Sequence, residues 1–128
     1  MKFSLLLGFV LPITCFSIHK EKCYQNFFAQ RLKGCTEVLM PDKTRCDILT
    51  EDFAIEVDFA NKWAEAIGQS LHYANLMNRK AGIVLVLRKK TDHLHMEKLL
   101  RVINFYNLPI KVFPFEMKDL DGRSGCCF

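Results

Sequence analysis

Apolar and polar positions recur with two different periods along the chain, and each change of period marks an element. Between Lys20 and Leu32, the residues Tyr24, Phe27, Phe28 and Leu32 recur three and four apart. That is the spacing of one helix face, and Gly34 predicts where the helix stops. Cys35 to Met40 leans apolar over the length of a strand, and Pro41-Asp42-Lys43 reads as a turn. Arg45–Thr50 and Phe53–Phe59 predict two strands around Glu51-Asp52. In the second, Phe53, Ile55, Val57 and Phe59 share one face while Ala54, Glu56 and Asp58 share the other. Asn61 to Met77 reads as a helix, with Ala60, Ala64, Ile67, Leu71 and Ala74 as its core-facing stripe. Ala81 to Leu87 is unbroken apolar sequence, as in a strand covered on both faces. Thr91 would cap a helix running to about Tyr106, Pro109 to Phe115 makes a last strand, and residues 119–128 read as a tail. The order α-β-β-β-α-β-α-β predicts an α/β fold. No repeat or linker interrupts it, so residues 18–118 form one domain.

Composition narrows the classes. The chain has 128 residues, half of them hydrophobic and a quarter charged. That is ordinary for a globular domain, and it excludes a collagen, a coiled-coil rod or a disordered tail. The length excludes a (β/α)8 barrel. A net charge of +4 is too mild for a histone-like protein.

The N-terminus adds a location. Lys2 is followed by an uncharged run from Phe3 to Phe16, with small residues near Cys15 and Ser17. This is the layout of a secretory signal peptide over residues 1–17, and the run is shorter than the ~20 residues a spanning helix needs. The expectation is a secreted or periplasmic protein that leaves the membrane after cleavage. Without the leader, Cys23, Cys35, Cys46, Cys126 and Cys127 remain. An odd number leaves one thiol over. Cys23 with Cys35 is the favoured pair, Cys46 reads as a small buried strand residue, and no spacing suggests zinc. The terminal Cys126-Cys127-Phe128 is not a prenylation box.

The charges are unevenly placed. Between Thr36 and Asp58 seven acids (Glu37, Asp42, Asp47, Glu51, Asp52, Glu56, Asp58) face only Lys43 and Arg45. An acidic knot in a basic chain suits a cation held beside a polyanion. If Glu51-Asp52 is a two-residue loop, Asp47 lies opposite Glu56, where Cβ atoms are roughly 5 Å apart and like charges repel. A divalent cation such as Mg²⁺, which takes oxygen ligands, would relieve that repulsion. The same register sets Arg45 opposite Asp58 as an ion pair. On the helix after that strand, Lys62, Gln69 and Tyr73 lie within about 40° of one another, flanked by Glu65, and could point at the acidic site. Trp63 reads as a packing residue. His93 and His95 point to different faces, and His72 reads as half-exposed.

The ordered set Thr36-Glu37, Arg45-Cys46-Asp47-Ile48, Ile55-Glu56-Val57-Asp58, Lys62 and Gln69-Ser70-Leu71-His72-Tyr73 resembles the PD-(D/E)xK, or restriction-endonuclease-like, nucleases. The resemblance covers about Lys20 to Phe113. It implies an αβββαβ core with a central mixed sheet flanked by helices. It implies that Asp47, Glu56 and the Val57 carbonyl ligate Mg²⁺ or Mn²⁺, with Glu37 as the upstream acid. Gln69 and Tyr73 would orient the phosphate or the carboxylates. Asp58 stands where the family usually has its lysine, and Lys62, on the next helix, would supply the displaced cation. The function implied is metal-dependent hydrolysis of nucleic acid, DNA ahead of RNA, without sequence specificity and with a homodimer admitted. Arg79, Lys80, Arg88, Lys89 and Lys90 could contact phosphates. The alternative is a secreted, inactive nuclease-like module that binds nucleic acid or protein.

Overall fold

The computed structural model describes residues 14–120. Five strands and three helices succeed one another as α1 (Thr14–Leu32), β1 (Cys35–Leu39), β2 (Arg45–Leu49), β3 (Phe53–Phe59), α2 (Trp63–Met77), β4 (Lys80–Leu87), α3 (His93–Tyr106) and β5 (Ile110–Glu116). Short 3₁₀ turns occupy Ala60–Lys62, Lys90–Asp92 and Met117–Leu120. The fold is α/β with one mixed sheet in the order β1-β2-β3-β4-β5. The β1/β2 and β2/β3 pairs are antiparallel, and β3/β4 and β4/β5 are parallel. Helix α1 is already formed at Thr14, the first described residue, ahead of the stretch in which its sequence periodicity is readable. Of the leader expected over residues 1–17, the part up to residue 13 lies outside the described residues, as do Cys126 and Cys127 of the tail.

The alternation along β3 and β4 sorts the core into two layers. Ile55, Val57, Phe59, Val84 and Val86 turn toward Tyr24 and Ala29 of α1. Phe115 of β5 gathers the aromatic rings of that layer, with Phe28, Phe27 and Tyr24 at centroid distances of 5.0, 5.4 and 6.1 Å. On the opposite face Ile83, Leu85 and Leu87 pack against Ala66 of α2 and Leu99 and Ile103 of α3. Strand β4 is buried along all of Ala81–Leu87, as its unbroken apolar run requires between two layers of helices.

The turns are fixed by local chemistry. Lys33 adopts a left-handed conformation and the Gly34 N–H donates to the Ala29 carbonyl at 2.8 Å, closing α1. Glycine is needed there because a Cβ would stand 2.7 Å from Ile48 Cγ2 and 3.0 Å from the Leu49 carbonyl oxygen. The Glu51-Asp52 turn is tight, although that dipeptide is not a favoured one. The Thr50 hydroxyl accepts the Phe53 N–H at 2.9 Å and the Asp52 N–H at 3.2 Å, and the register Ile48↔Ile55, Leu49↔Ala54 is the one the two-residue loop predicts.

Three local expectations need correction. Thr91 does not cap α3: it sits inside the Lys90–Asp92 turn, and the Asp92 carboxylate accepts the Arg88 and Lys89 N–H groups at 2.8 and 3.4 Å. Cys35 is a free, exposed thiol, so Cys23 and Cys35 are not bridged. On α2 the buried side chains are Ala66, Ser70, Tyr73 and Ala74, while Ala64 is exposed and Ile67 and Leu71 are half-buried. The 3₁₀ turn over Ala60–Lys62 advances each residue by about 120° rather than about 100°. That dephases Ala60 from α2, whereas Ala64, Ile67, Leu71 and Ala74 keep the α-helical step among themselves, and the face they define is offset from the one that Ala66, Ser70, Tyr73 and Ala74 bury. Ser70 is accommodated in the core because its hydroxyl donates to the Ile67 carbonyl at 3.1 Å.

Candidate active site

The site forms where the β2–β3 ladder opens. Backbone pairing ends at Ile48↔Ile55. One residue further, the Val57 N–H donates not to a strand carbonyl but to Asp47 Oδ2, at 2.9 Å. Glu37 of β1, opposite the same point, has φ 52°, and the β1/β2 ladder passes from Thr36↔Ile48 to Val38↔Cys46 without it. A left-handed glutamate costs about 1–3 kcal/mol, and two strands are thus bent at the level of Asp47. Cys46 lies just beyond, fully buried, its thiol donating to the Ile48 carbonyl at 3.3 Å. Burial pushes that thiol up to about 11.

Into this opening β3 sends Glu56 and Asp58, 6 % and 3 % exposed. The carboxyls of Asp47 and Glu56 are in hydrogen-bond contact and both are raised well above the usual carboxylate range. Burial is the main cause for each. For Glu56 the charges of Asp47 and Asp58 add to it, and for Asp47 those of Glu21 and Glu37 do. The Val57 N–H works the other way on Asp47. Two carboxyls in contact are stable as one proton shared between them. Asp58 is pushed up to about 7, by burial first and then by Glu21, against the pull of Lys62.

The other expected residues fall into two groups, those near the carboxyls and those turned away. Lys62 stands in the 3₁₀ turn rather than on α2, with Nζ 4.0 Å from Asp58 Oδ1 and its side chain 45 % exposed. Tyr73 is buried on the inner face of α2, with its hydroxyl hydrogen-bonded to Gln69. Burial and the neighbouring Glu56 and Asp47 charges raise that hydroxyl to about 12. Gln69 itself is exposed, so the two share the site through their mutual hydrogen bond and not as one outer stripe. Glu37 is half-buried and contributes charge at Asp47. Arg45 does not pair with Asp58. It is exposed, opposite Leu39, because the ladder that would have carried it to Asp58 has already opened. His72 is bound to Asp42 at 2.6 Å, His93 to Glu116 at 3.2 Å, and Trp63 packs against the α2–α3 core.

Sequence reasoning missed Glu21. From α1 it hydrogen-bonds to Asp58 and lends charge to Asp47 and Glu56. The signal was present: Glu21 precedes Tyr24 by three residues, so it extends the buried stripe of α1 toward its N-terminus.

The donor chemistry suits a hard cation. Asp47, Glu56, Asp58, Glu21 and Glu37 offer carboxyl oxygens, and Glu56 Oε2 and Asp58 Oδ2 are buried acceptors that no donor reaches among the described residues. As they stand, no three His, Cys, Asp or Glu side chains of the described residues are gathered closely enough to hold an ion. Asp47 and Glu56 are in contact, with the charges of Asp58, Glu21 and Glu37 felt around them. No described helix is long and apolar enough to cross a membrane. Compared with protein-family models, with curated proteins and with solved structures, the chain finds no match.

Proposed function

We propose that the chain is a phosphodiesterase that hydrolyses nucleic acid with a divalent cation, on a restriction-endonuclease-like core. One observation carries this reading: Glu56 and Asp58 are almost fully buried, yet Glu56 Oε2 and Asp58 Oδ2 have no donor among the described residues. A buried carboxyl oxygen that no donor reaches is disfavoured. A protein that keeps several of them together on a splayed strand gains from a cation between them.

Asp47, Glu56 and the Val57 carbonyl would hold Mg²⁺ or Mn²⁺, with Glu21 and Glu37 as the carboxylates at its margin. The bound cation supplies a low-pKa water and neutralises the phosphate. The chain's own groups do the rest. The Val57 N–H fixes the Asp47 carboxylate. Tyr73, braced by Gln69, closes the inner side of the site behind Glu56 and Asp47. Lys62, anchored by Asp58 at the solvent edge, meets the negative charge that develops on the phosphate oxygens.

The test is cleavage of labelled single- and double-stranded DNA and RNA by the full chain, with Mg²⁺, with Mn²⁺ and with chelator, beside Glu56→Gln. The expected result is cation-dependent cutting that disappears in the folded variant. A folded wild type that neither cuts with either cation nor gains thermal stability from them would overturn the reading. The non-catalytic binding module would then take its place.

A further inference from the structure

Strands β3 and β4 are parallel, with Asp58 beside Leu85 and Phe59 beside Val86. The chain leaving β4 therefore emerges at the same edge as Glu56, Asp58 and Lys62. There it presents Arg88-Lys89-Lys90, three consecutive exposed cations. A charged run at a strand end is ordinarily solvated and mobile, but this one is built in. Asp92, 2 % exposed, turns its carboxylate inward and accepts the Arg88 N–H at 2.8 Å and the Lys89 N–H at 3.4 Å. The Asp92 N–H returns to the Lys89 carbonyl at 3.0 Å. The backbone of the loop is clamped from both ends.

The side chain of Arg88 is fixed as well. Its guanidinium lies 4.2 Å from the centre of the Phe59 ring, and Nη2 donates to Asn61 Oδ1 at 3.1 Å. Asn61 is the neighbour of Lys62, which reaches Asp58. A continuous line thus runs from the buried acids through Lys62 and Asn61 to Arg88 and on to Lys89 and Lys90. Anions recognised by clamped cations lose less side-chain entropy on binding, and an arginine stacked on a ring keeps N–H donors for phosphate oxygens.

We propose that the Arg88–Lys90 loop is the docking rim for the phosphate backbone of the nucleic acid whose scissile bond the acidic site would receive. This rests on the nuclease reading for its choice of partner, but its test does not need turnover. Binding of fluorescently labelled single-stranded and duplex DNA to the full chain is measured by anisotropy in chelator, as a function of salt. The variant Arg88→Gln/Lys89→Gln/Lys90→Gln is compared with Arg79→Gln/Lys80→Gln/Lys111→Gln. The second triple removes the same charge at the opposite edge of the sheet, where β4 and β5 begin. Lys89→Gln/Lys90→Gln serves where loss of the Arg88–Phe59 contact weakens the fold.

The rim variant is expected to bind at least about tenfold more weakly at moderate salt. The slope of log K against log salt should fall by about two to three, as when that many phosphate contacts are lost. The control triple should change the slope by less than one. Equal losses in the two triples would mean that net charge alone attracts the strand, and would overturn the proposal, as would a wild type that does not bind. A chain that binds through the rim but never cuts loses the nuclease reading and keeps this one. A chain whose cutting and binding ignore the rim loses this one alone.

Discussion

Burying Asp58 should make the cation-free protein less stable as the medium becomes more alkaline. Its carboxyl moves from 3.8 to about 7 on folding, so the folded state holds a proton that the unfolded chain releases near pH 4. An acid raised on folding contributes stability that is fully present below the unfolded value and is lost as the pH climbs through the folded one. With about 1.4 kcal/mol per pK unit, the part of that loss falling between pH 5 and pH 8 is about 2.5 kcal/mol from Asp58 alone. Glu56 and Asp47 are raised as well and act in the same direction. Asp42 acts in the opposite sense, held at about 2 by its hydrogen bonds to Thr44 and then to His72. Its contribution is fully present above about pH 4 and is lost only below it, so it does not disturb this window.

Urea unfolding in chelator at pH 5 and pH 8 measures the effect. Wild type should lose at least about 2 kcal/mol on going to pH 8, and Asp58→Asn should reduce that loss by about 2 kcal/mol, leaving the share of Glu56 and Asp47. Magnesium at a hundred times its dissociation constant should return about 2.7 kcal/mol to wild type at pH 8. Glu56→Gln should gain stability in chelator and respond little to the cation. A wild-type stability that is flat or rising from pH 5 to pH 8 would mean the carboxyls are not protonated in the fold, and the account of the site would fail with it.

Single contacts elsewhere set four more outcomes. Lys62→Met should lower kcat by about a hundredfold or more with KM and cation-induced stabilisation little changed, since the charge is needed as the phosphate reacts; steady-state kinetics on a labelled oligonucleotide reads it. Gly34→Ala should cost about 1–3 kcal/mol in urea unfolding, because its methyl meets Ile48 and a backbone carbonyl with no room to yield. Leu99→Ala, emptying a fully buried position between α3 and β4, should cost about 2–5 kcal/mol without altering turnover per folded molecule. Thr50→Val should cost about 1 kcal/mol by leaving the Phe53 and Asp52 N–H groups without their acceptor, seen as faster amide exchange at Phe53.

The parts of the fold that sequence made legible are those where one period governs one element. The alternation from Phe53 to Phe59 became β3 with both its ends in place, and the unbroken apolar run became β4, buried between two layers of helices. Where two geometries meet in one segment, the pattern misled. Lys62 belongs to a 3₁₀ turn and not to α2, and Tyr73, grouped with Lys62 and Gln69 as one polar stripe, is buried because its ring joins the core while Gln69 stays exposed. Thr91 has the chemistry of a cap, but Asp92, one residue later, reaches two backbone N–H groups that Thr91 does not. Burial of a carboxylate as a loop clamp leaves no periodic trace.

The site shows the same division more sharply. Sequence located the conflict: a two-residue turn forces Asp47 toward Glu56, and that register is the one observed at Ile48 and Ile55. It could not show how the conflict is resolved. A ladder continued through Asp47 would have placed two acids opposite each other and carried Arg45 to Asp58. Instead, Asp47 takes the Val57 N–H with its side chain, Glu37 turns left-handed, and the strands part. The parting lets Glu21 approach from a helix far away in sequence, and it leaves Asp58 to the nearer cation, Lys62. The opening is held by the Val57 N–H on Asp47 and by the proton that the Asp47 and Glu56 carboxyls share, not by repulsion between two charges. An Asp47→Asn chain keeps the Val57 N–H as a partner through its amide oxygen. Its β3 should therefore stay splayed, and its loss of activity would report the missing ligand and not a closed sheet.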